Sequence, residues 1–297
     1  MDLWISMTLA AAFCQNLRSA FQKQLKDRLS TWGSTATRFV YAAPLAIAVL
    51  LALTLGRGAP LPNLSGQFFA FALVGAVAQV LATGLLIHLF SRANFAAATA
   101  FTKTEPIQAA LVGILLLGDA LTLPALLAIL TSIVGIILIS LPKGKDGKWR
   151  PDGALWIGLL SGACFAVSSV SLRGASLSLG DANVVLSTST TLAFVTVVQS
   201  ALLLVWLRLR EPGQTARLFG AWRHAGWVGL IGFLGSMAWV AAFTLKDAAS
   251  VKAVGQVEIL FTLVASRLMF RERVSLLEVA GILLLASGVV AIVLLSR

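Results

Sequence analysis

Glu105-Pro106-Ile107-Gln108-Ala109-Ala110-Leu111-Val112-Gly113-Ile114-Leu115-Leu116-Leu117-Gly118-Asp119-Ala120-Leu121-Thr122 is an apolar run with an acid at its head and another at its foot, and a related run follows 153 residues later. At that offset Glu105 falls on Glu258, Asp119 on Glu272, Thr122 on Ser275, Ala100 on Ala253 and Gly135 on Gly288. An offset of 152 brings Trp4 onto Trp156 and Phe13 onto Phe165 nearer the start of each copy. Internal repetition on this scale makes the chain a duplicated unit.

The unit is apolar throughout. Of the 297 residues 58% are hydrophobic and 12% charged, with a mean hydropathy of +0.91, whereas soluble domains carry about a quarter charged residues. The apolar residues fall in ten blocks, each long enough to cross about 30 Å of hydrocarbon as a helix. These are Leu3 to Phe21, Trp32 to Leu55, Phe68 to Phe90, Phe95 to Leu117, Leu121 to Leu141, Ala154 to Leu172, Val184 to Leu207, Trp227 to Leu245, Val251 to Phe270 and Leu276 to Leu295. Gly, Ala and Ser are scattered through them, which lets backbones approach closely in a lipid-embedded helix bundle. The short alternating segments of a β-barrel are missing. The first block starts at Leu3 with no basic leader or small-residue cleavage site, and reads as a retained helix.

The expected fold is therefore an all-α polytopic membrane protein of ten transmembrane helices, in two five-helix repeats: residues 1–142, a basic connecting loop at 143–153, and residues 154–297. Because five is odd, the second repeat enters the membrane inverted. The link after its first helix holds only Arg173, where the first repeat has Lys23, Lys26 and Arg28. Inverted repeats place substrate near the midplane in a central cavity and open it to each side in turn.

A net charge of +11 would suggest nucleic acid in a soluble chain, but here the basic residues lie in short links between spans, so no nucleic-acid partner is expected. The links that fall on one face hold 14 of the 23 Lys and Arg residues, and those on the other, with Arg297, hold 4. Basic links are cytoplasmic, which puts both termini on the non-cytoplasmic side. Cys14 and Cys164 stand alone within spans and read as small packing residues. No phosphate-binding loop, nucleophile elbow or metal-ligand cluster is present, and His88 and His224 are the only histidines. Neither an enzyme nor a cofactor is expected.

The two acid-flanked runs, Glu105 through Thr122 and Glu258 through Phe270-Arg271-Glu272-Arg273-Val274-Ser275, resemble the EamA domains of the drug/metabolite transporter superfamily, and Arg38-Phe39 in the second span is similar to an Arg often found there. The resemblance covers nearly the whole chain. It implies ten helices in two inverted repeats around a central cavity, and members that export amino acids, other metabolites or drugs. Departures are Asp119 in place of Glu and Ile259 where the first copy has Pro106. Many members also place both termini in the cytoplasm, against the count of basic links.

Ionisable groups deep in a span are costly and default to a functional reading. Glu105 and Glu258 lie near mid-span. Lys103 stands about 200° around the helix from Glu105, and Gln256 likewise from Glu258, with Lys252 one turn before Gln256. Three roles are open to the glutamates: proton coupling, counter-charge to Arg18, Arg38 or Arg267, or direct binding of a substrate amine. Arg38, Lys103 and Lys252 are the candidates for a carboxylate or phosphate, so the expected substrate is a small molecule with an anionic or zwitterionic group. Arg18 and Arg267 are read as snorkelling to the interface. Gln15, Asn16, Gln79 and the run Ser187 to Thr191 are candidate cavity-lining positions, and Trp239 is either a stacking platform or core. Trp4, Trp32, Trp149, Trp156, Trp222 and Trp227 sit at span ends as an aromatic belt.

The expected function is a secondary carrier exporting small metabolites such as amino acids across the plasma membrane, the inner membrane of a bacterium. The alternatives are an exchanger of phosphorylated or lipid-linked molecules, and a non-transporting receptor or scaffold.

Overall fold

A computed structural model describes residues 2–92, 98, 102, 104–119, 153–180 and 183–269, with isolated positions between 123 and 134 and between 280 and 287. The described residues form helices joined by turns and loops, with no strand among them. In chain order the helices are α1 (Leu3–Leu25), α2 (Thr31–Val40), α3 (Ala43–Leu51), α4 (Gly66–Leu89), α5 (Glu105–Leu117), α6 (Gly153–Leu177), α7 (Val184–Arg210), α8 (Gln214–Gly220), α9 (Trp222–Leu245), α10 (Ala248–Val254) and α11 (Glu258–Met269).

Local sequence sets their ends. Ser30, Ser65, Asn183 and Asp247 precede α2, α4, α7 and α10, and each side-chain oxygen accepts from the backbone N–H three residues on, satisfying an orphan donor of the first turn. Gly118 closes α5 at φ +67, a left-handed geometry in which a Cβ is strained.

Five stretches are long and apolar enough to cross a membrane: Thr31–Gly56, Gly66–Leu89, Trp156–Leu177, Val184–Arg210 and Trp222–Leu245. They correspond to the second, third, sixth, seventh and eighth expected spans. The second is interrupted by a turn at Tyr41 and Ala42 and ends in a wider π turn, Ala52–Gly56. Helix α1 is long enough at 23 residues, but it carries Gln15, Asn16, Arg18, Ser19 and Gln22, all buried. These side chains lower its mean hydropathy and mark it as an interior helix. Apart from isolated positions, the expected fifth and tenth spans, and most of the fourth before Glu105, lie outside the described residues.

The expected ninth span is not one continuous helix. It is α10, a 3-10 turn at Gly255–Val257, and then α11. In its counterpart, α5 begins at Glu105 with Pro106 in the first turn, where the missing proline N–H costs no hydrogen bond. Helices α5 and α11 thus both begin at a glutamate.

Packing pairs helices from the two copies. Helix α4 lies along α6 and α1 along α9, so the third span of one copy meets the first of the other, reciprocally. Gly75 of α4 sits against Ser171 and Leu172, and Gly174 of α6 against the Phe71 ring; Gly235 of α9 sits against Cys14 of α1. Ser161 Oγ donates to Ala82 O at 2.8 Å, so α4 and α6 run antiparallel. The core is rich in buried Ala, including Ala11, Ala12, Ala72, Ala76, Ala166 and Ala242. Large side chains such as Leu111, Leu115, Val205 and Leu209 are turned outward, which lipid allows because its chains are as apolar as leucine.

Polar contacts gather the links into two rims. At one rim Lys26 Nζ donates to Ile87 O at 3.2 Å and to Ser91 Oγ, and Ser30 bonds to Glu211 and Gln214. At the other, Arg173 Nη1 donates to Phe243 O and Lys246 O at 2.7 and 2.8 Å, and Nη2 lies 3.5 Å from Asp119 Oδ1. Since α1 ends beside the end of α4, and α4 runs antiparallel to α6, α1 ends at the rim where α6 begins. Trp156, Trp222 and Trp227 are exposed near helix starts, as an aromatic belt requires. Trp4 departs from that expectation: it is buried, with Lys246 Nζ 5.9 Å from its ring centre.

Candidate functional site

The two glutamates are held by residues of the other copy. Glu105, the first residue of α5, is 5% exposed and lies 2.8 Å from Lys252 Nζ of α10. Glu258, the first residue of α11, is 2% exposed and accepts from Gln15 Nε2 of α1 at 2.7 Å. The same Gln15 uses its oxygen to accept from Trp239 Nε1 at 3.0 Å. One turn further on, Asn16 Nδ2 donates to Thr262 Oγ1 at 2.6 Å, and Thr262 donates back to Glu258 O. Each carboxylate begins a helical segment, where free N–H groups favour negative charge.

Lys252 is enclosed by π faces as well as by the carboxylate. Its ammonium is 4.1 Å from the centre of the Trp239 ring, 5.4 Å from Phe243 and 5.8 Å from Phe165. Trp239 and Phe243 stack at 5.6 Å. Gly255 permits this, because a Cβ there would come within 2.5 Å of the Trp239 ring. A narrow cavity lies among Gln15, Gln79, Phe165, Ser168, Trp239 and Lys252. Its volume of about 10 Å³ is the size of roughly one water molecule, so a larger solute fits only after the helices separate. Gln79 is tied to α7, accepting from Gln199 Nε2 at 2.8 Å.

Arg38 makes a separate set of bonds. It is 2% exposed, donates to Thr83 Oγ1 at 3.0 Å and to Ser236 Oγ at 3.4 Å, and lies 5.0 Å from the Phe39 ring centre. Arg18 is 2% exposed too. The expected first span ends at Phe21, which puts Arg18 near its end and predicts snorkelling, whereas α1 continues to Leu25 and carries Arg18 two turns inside it. Gln256 is buried too. Lys103 lies outside the described residues, as does the side chain of Arg267.

Of the residues singled out from sequence, the structure brings Glu105, Lys252, Trp239, Gln15 and Glu258 into one connected group, with Gln79 at its edge. Sequence reading missed Phe165 and Phe243, which complete the aromatic enclosure. It also missed Ser168, which lines the cavity. Phe165 carried a signal, since it is the repeat partner of Phe13. In the run Ser187 to Thr191 all five residues are buried, and Thr188, Ser189, Thr190 and Thr191 have no hydrogen-bond partner for their hydroxyls. The connected group around Lys252 holds opposite charges in a buried space. It contains no cluster of His, Cys, Asp or Glu able to grip a metal among the described residues.

A solved crystal structure is similar over 98% of this chain and 99% of its own, with a TM-score of 0.64 and 18% identity, a likeness of fold alone. Among curated proteins none matches. The EamA-like transporter family matches twice, over residues 2–141 and 153–294. Two matches that together span nearly the whole sequence, on a helical chain with membrane-length apolar spans, place it: the chain belongs to the EamA-like transporter family.

Proposed function

We propose that this membrane transporter is a secondary carrier that exports small metabolites such as amino acids, working by alternating access between two inverted five-helix halves, 1–142 and 154–297, of a ten-helix bundle. The observation that carries the reading is the Lys252–Glu105 pair at 2.8 Å, formed between the two copies beneath Trp239 and next to Glu258 and Gln15. A buried pair shared by two halves must break or exchange partners when the halves rock, and a zwitterionic substrate supplies both replacement charges. Its ammonium replaces that of Lys252 against Glu105 and Trp239, while its carboxylate takes Lys252. The opposite sense of α1 and α6 and the rims at either end support the inverted arrangement. The charge of the links favours both termini outside the cytoplasm of a bacterial inner membrane.

The test is counterflow in proteoliposomes with labelled amino acids, organic acids, nucleosides and quaternary amines. Accumulation against unlabelled internal solute is expected for at least one zwitterionic solute, and Glu105→Gln and Lys252→Met proteins that still elute as folded monodisperse species are expected to lose it. A folded protein giving no counterflow with any solute would overturn the carrier reading. Transport unchanged in both variants would overturn the site.

A further inference from the structure

The two deep arginines, Arg18 of α1 and Arg38 of α2, are each 2% exposed; the sequence marks Arg38 as a candidate for a carboxylate or phosphate and gives Arg18 no ligand, and the Lys252–Glu105 pair uses neither. Their stems cross α9 side by side at Gly232. A Cβ built there would lie 3.3 Å from Arg38 Cγ and 3.4 Å from Arg18 Cδ, so the glycine leaves room for both. Arg38 spends two N–H groups on the Thr83 and Ser236 hydroxyls and leaves Nε without an acceptor. Arg18 leaves both Nε and Nη2 without one. The two guanidiniums repel one another, and Glu258, which attracts Arg18, already accepts from Gln15.

Such an arrangement is costly as it stands. A guanidinium cannot shed its proton in a protein, and an unpaired buried charge is among the most destabilising features a fold can carry. A small oxyanion removes the cost. Its oxygens accept from several N–H groups at once, and the planar fork of arginine matches a carboxylate or phosphate better than any other side chain does. Thr83 and Ser236 are 153 positions apart, the offset that relates the two copies, so Arg38 bridges equivalent hydroxyls of α4 and α9. A ligand held there is met by both halves.

We propose that Arg18 and Arg38 form a binding site for an oxyanion, the carboxylate of an organic or amino acid or a phosphate group, between α1, α2 and α9. The role of this site in transport rests on the carrier reading, whereas binding itself does not. Ser236 precedes Trp239 by one helical turn, about 4.5 Å of rise, so the anion site lies about one turn from the aromatic enclosure around Lys252.

The experiment is thermal unfolding of the full chain in phosphatidylcholine nanodiscs, titrated with inorganic phosphate or acetate at constant ionic strength, with chloride as the control. A saturable rise in Tm is expected with phosphate or acetate and not with chloride. Arg18→Gln and Arg38→Gln are each expected to weaken it about tenfold or more, the effect of losing a charge-assisted hydrogen bond. If either fails to fold, Arg18→Lys and Arg38→Lys keep the charge without the fork, and Thr83→Val leaves Arg38 short of one anchor; each should weaken binding several-fold. If the Tm rise appears only when phosphatidylglycerol is built into the disc and is lost in the arginine variants, the site stands and its phosphate comes from lipid. No saturable rise with any of these anions, or a rise that persists in every variant, overturns it. Counterflow without anion binding removes this site and leaves the carrier; anion binding without counterflow does the reverse.

Discussion

Replacing Glu105 by Gln leaves the Lys252 ammonium buried without its counter-charge. At 2.8 Å and an effective dielectric of about 20, the Coulomb attraction between the two is about 6 kcal/mol. Desolvating the two ions costs several kcal/mol each, so the intact pair contributes little net stability. The single variant keeps the desolvation cost of Lys252 and loses the attraction, with an expected destabilisation of about 3–5 kcal/mol. The contact of Lys252 with Trp239 at 4.1 Å returns about 2 kcal/mol at most and is already present in the wild type. Glu105→Gln combined with Lys252→Met removes both charges and should return to within about 1–2 kcal/mol of the wild type. The assay is a double-mutant cycle on reversible unfolding in mixed micelles titrated with dodecyl sulfate, read by tryptophan fluorescence and circular dichroism. Two single variants each within about 1 kcal/mol of wild type, with no coupling between them, would refute the reasoning and show that water reaches the pair in the folded state.

Two further outcomes follow from the packing and the rim. A Cβ at Gly229 of α9 would fall on Tyr41 at the turn between α2 and α3, so Gly229→Ala is expected to cost about 1–3 kcal/mol through forced displacement of a packed element, read as a lowered unfolding midpoint; an unchanged midpoint would show that the turn yields freely. Burial raises the Asp119 carboxyl above its ordinary 3.8, against the opposing pull of Arg173; a raised carboxyl favours the folded protein most when protonated and loses that advantage as pH climbs through the raised value. Asp119→Asn should therefore be at least as stable as the wild type at neutral pH, with the difference in Tm closing as pH is lowered toward about 4, and a variant less stable at neutral pH would mean that the ion pair outweighs the burial.

The spans were legible where apolar composition and end signals agree. The seventh expected span begins at Val184, where the apolar run begins, and Asn183 caps α7 at that point. Reading stopped short where a helix is polar because it is interior. The segment Gln22-Lys23-Gln24-Leu25 looks like a link, yet it continues α1, and that error put Arg18 at the surface. The break at Gly255–Val257 was hidden because Ile259 replaces the proline that marks the first copy. Glu105 and Glu258 were found as isolated charges in apolar runs. Their partners were not, because Lys252 and Gln15 are 147 and 243 positions away, and pairing across a bundle depends on which helix faces which. The family resemblance rested on the acid-flanked runs, and the match over both copies agrees with it.

The 3-10 turn at Gly255–Val257 separates two residues that the chain keeps only six positions apart. Lys252 belongs to the segment before it and Glu258 to the segment after it, and a turn with i to i+3 bonds bends more readily than an α-helical one. In the proposed carrier cycle this turn gives the expected ninth span a joint. Its first segment can swing and carry the ammonium away from Glu105 while its second stays fastened to Gln15, so the two acids of the repeat, alike in sequence, need not let go at the same moment.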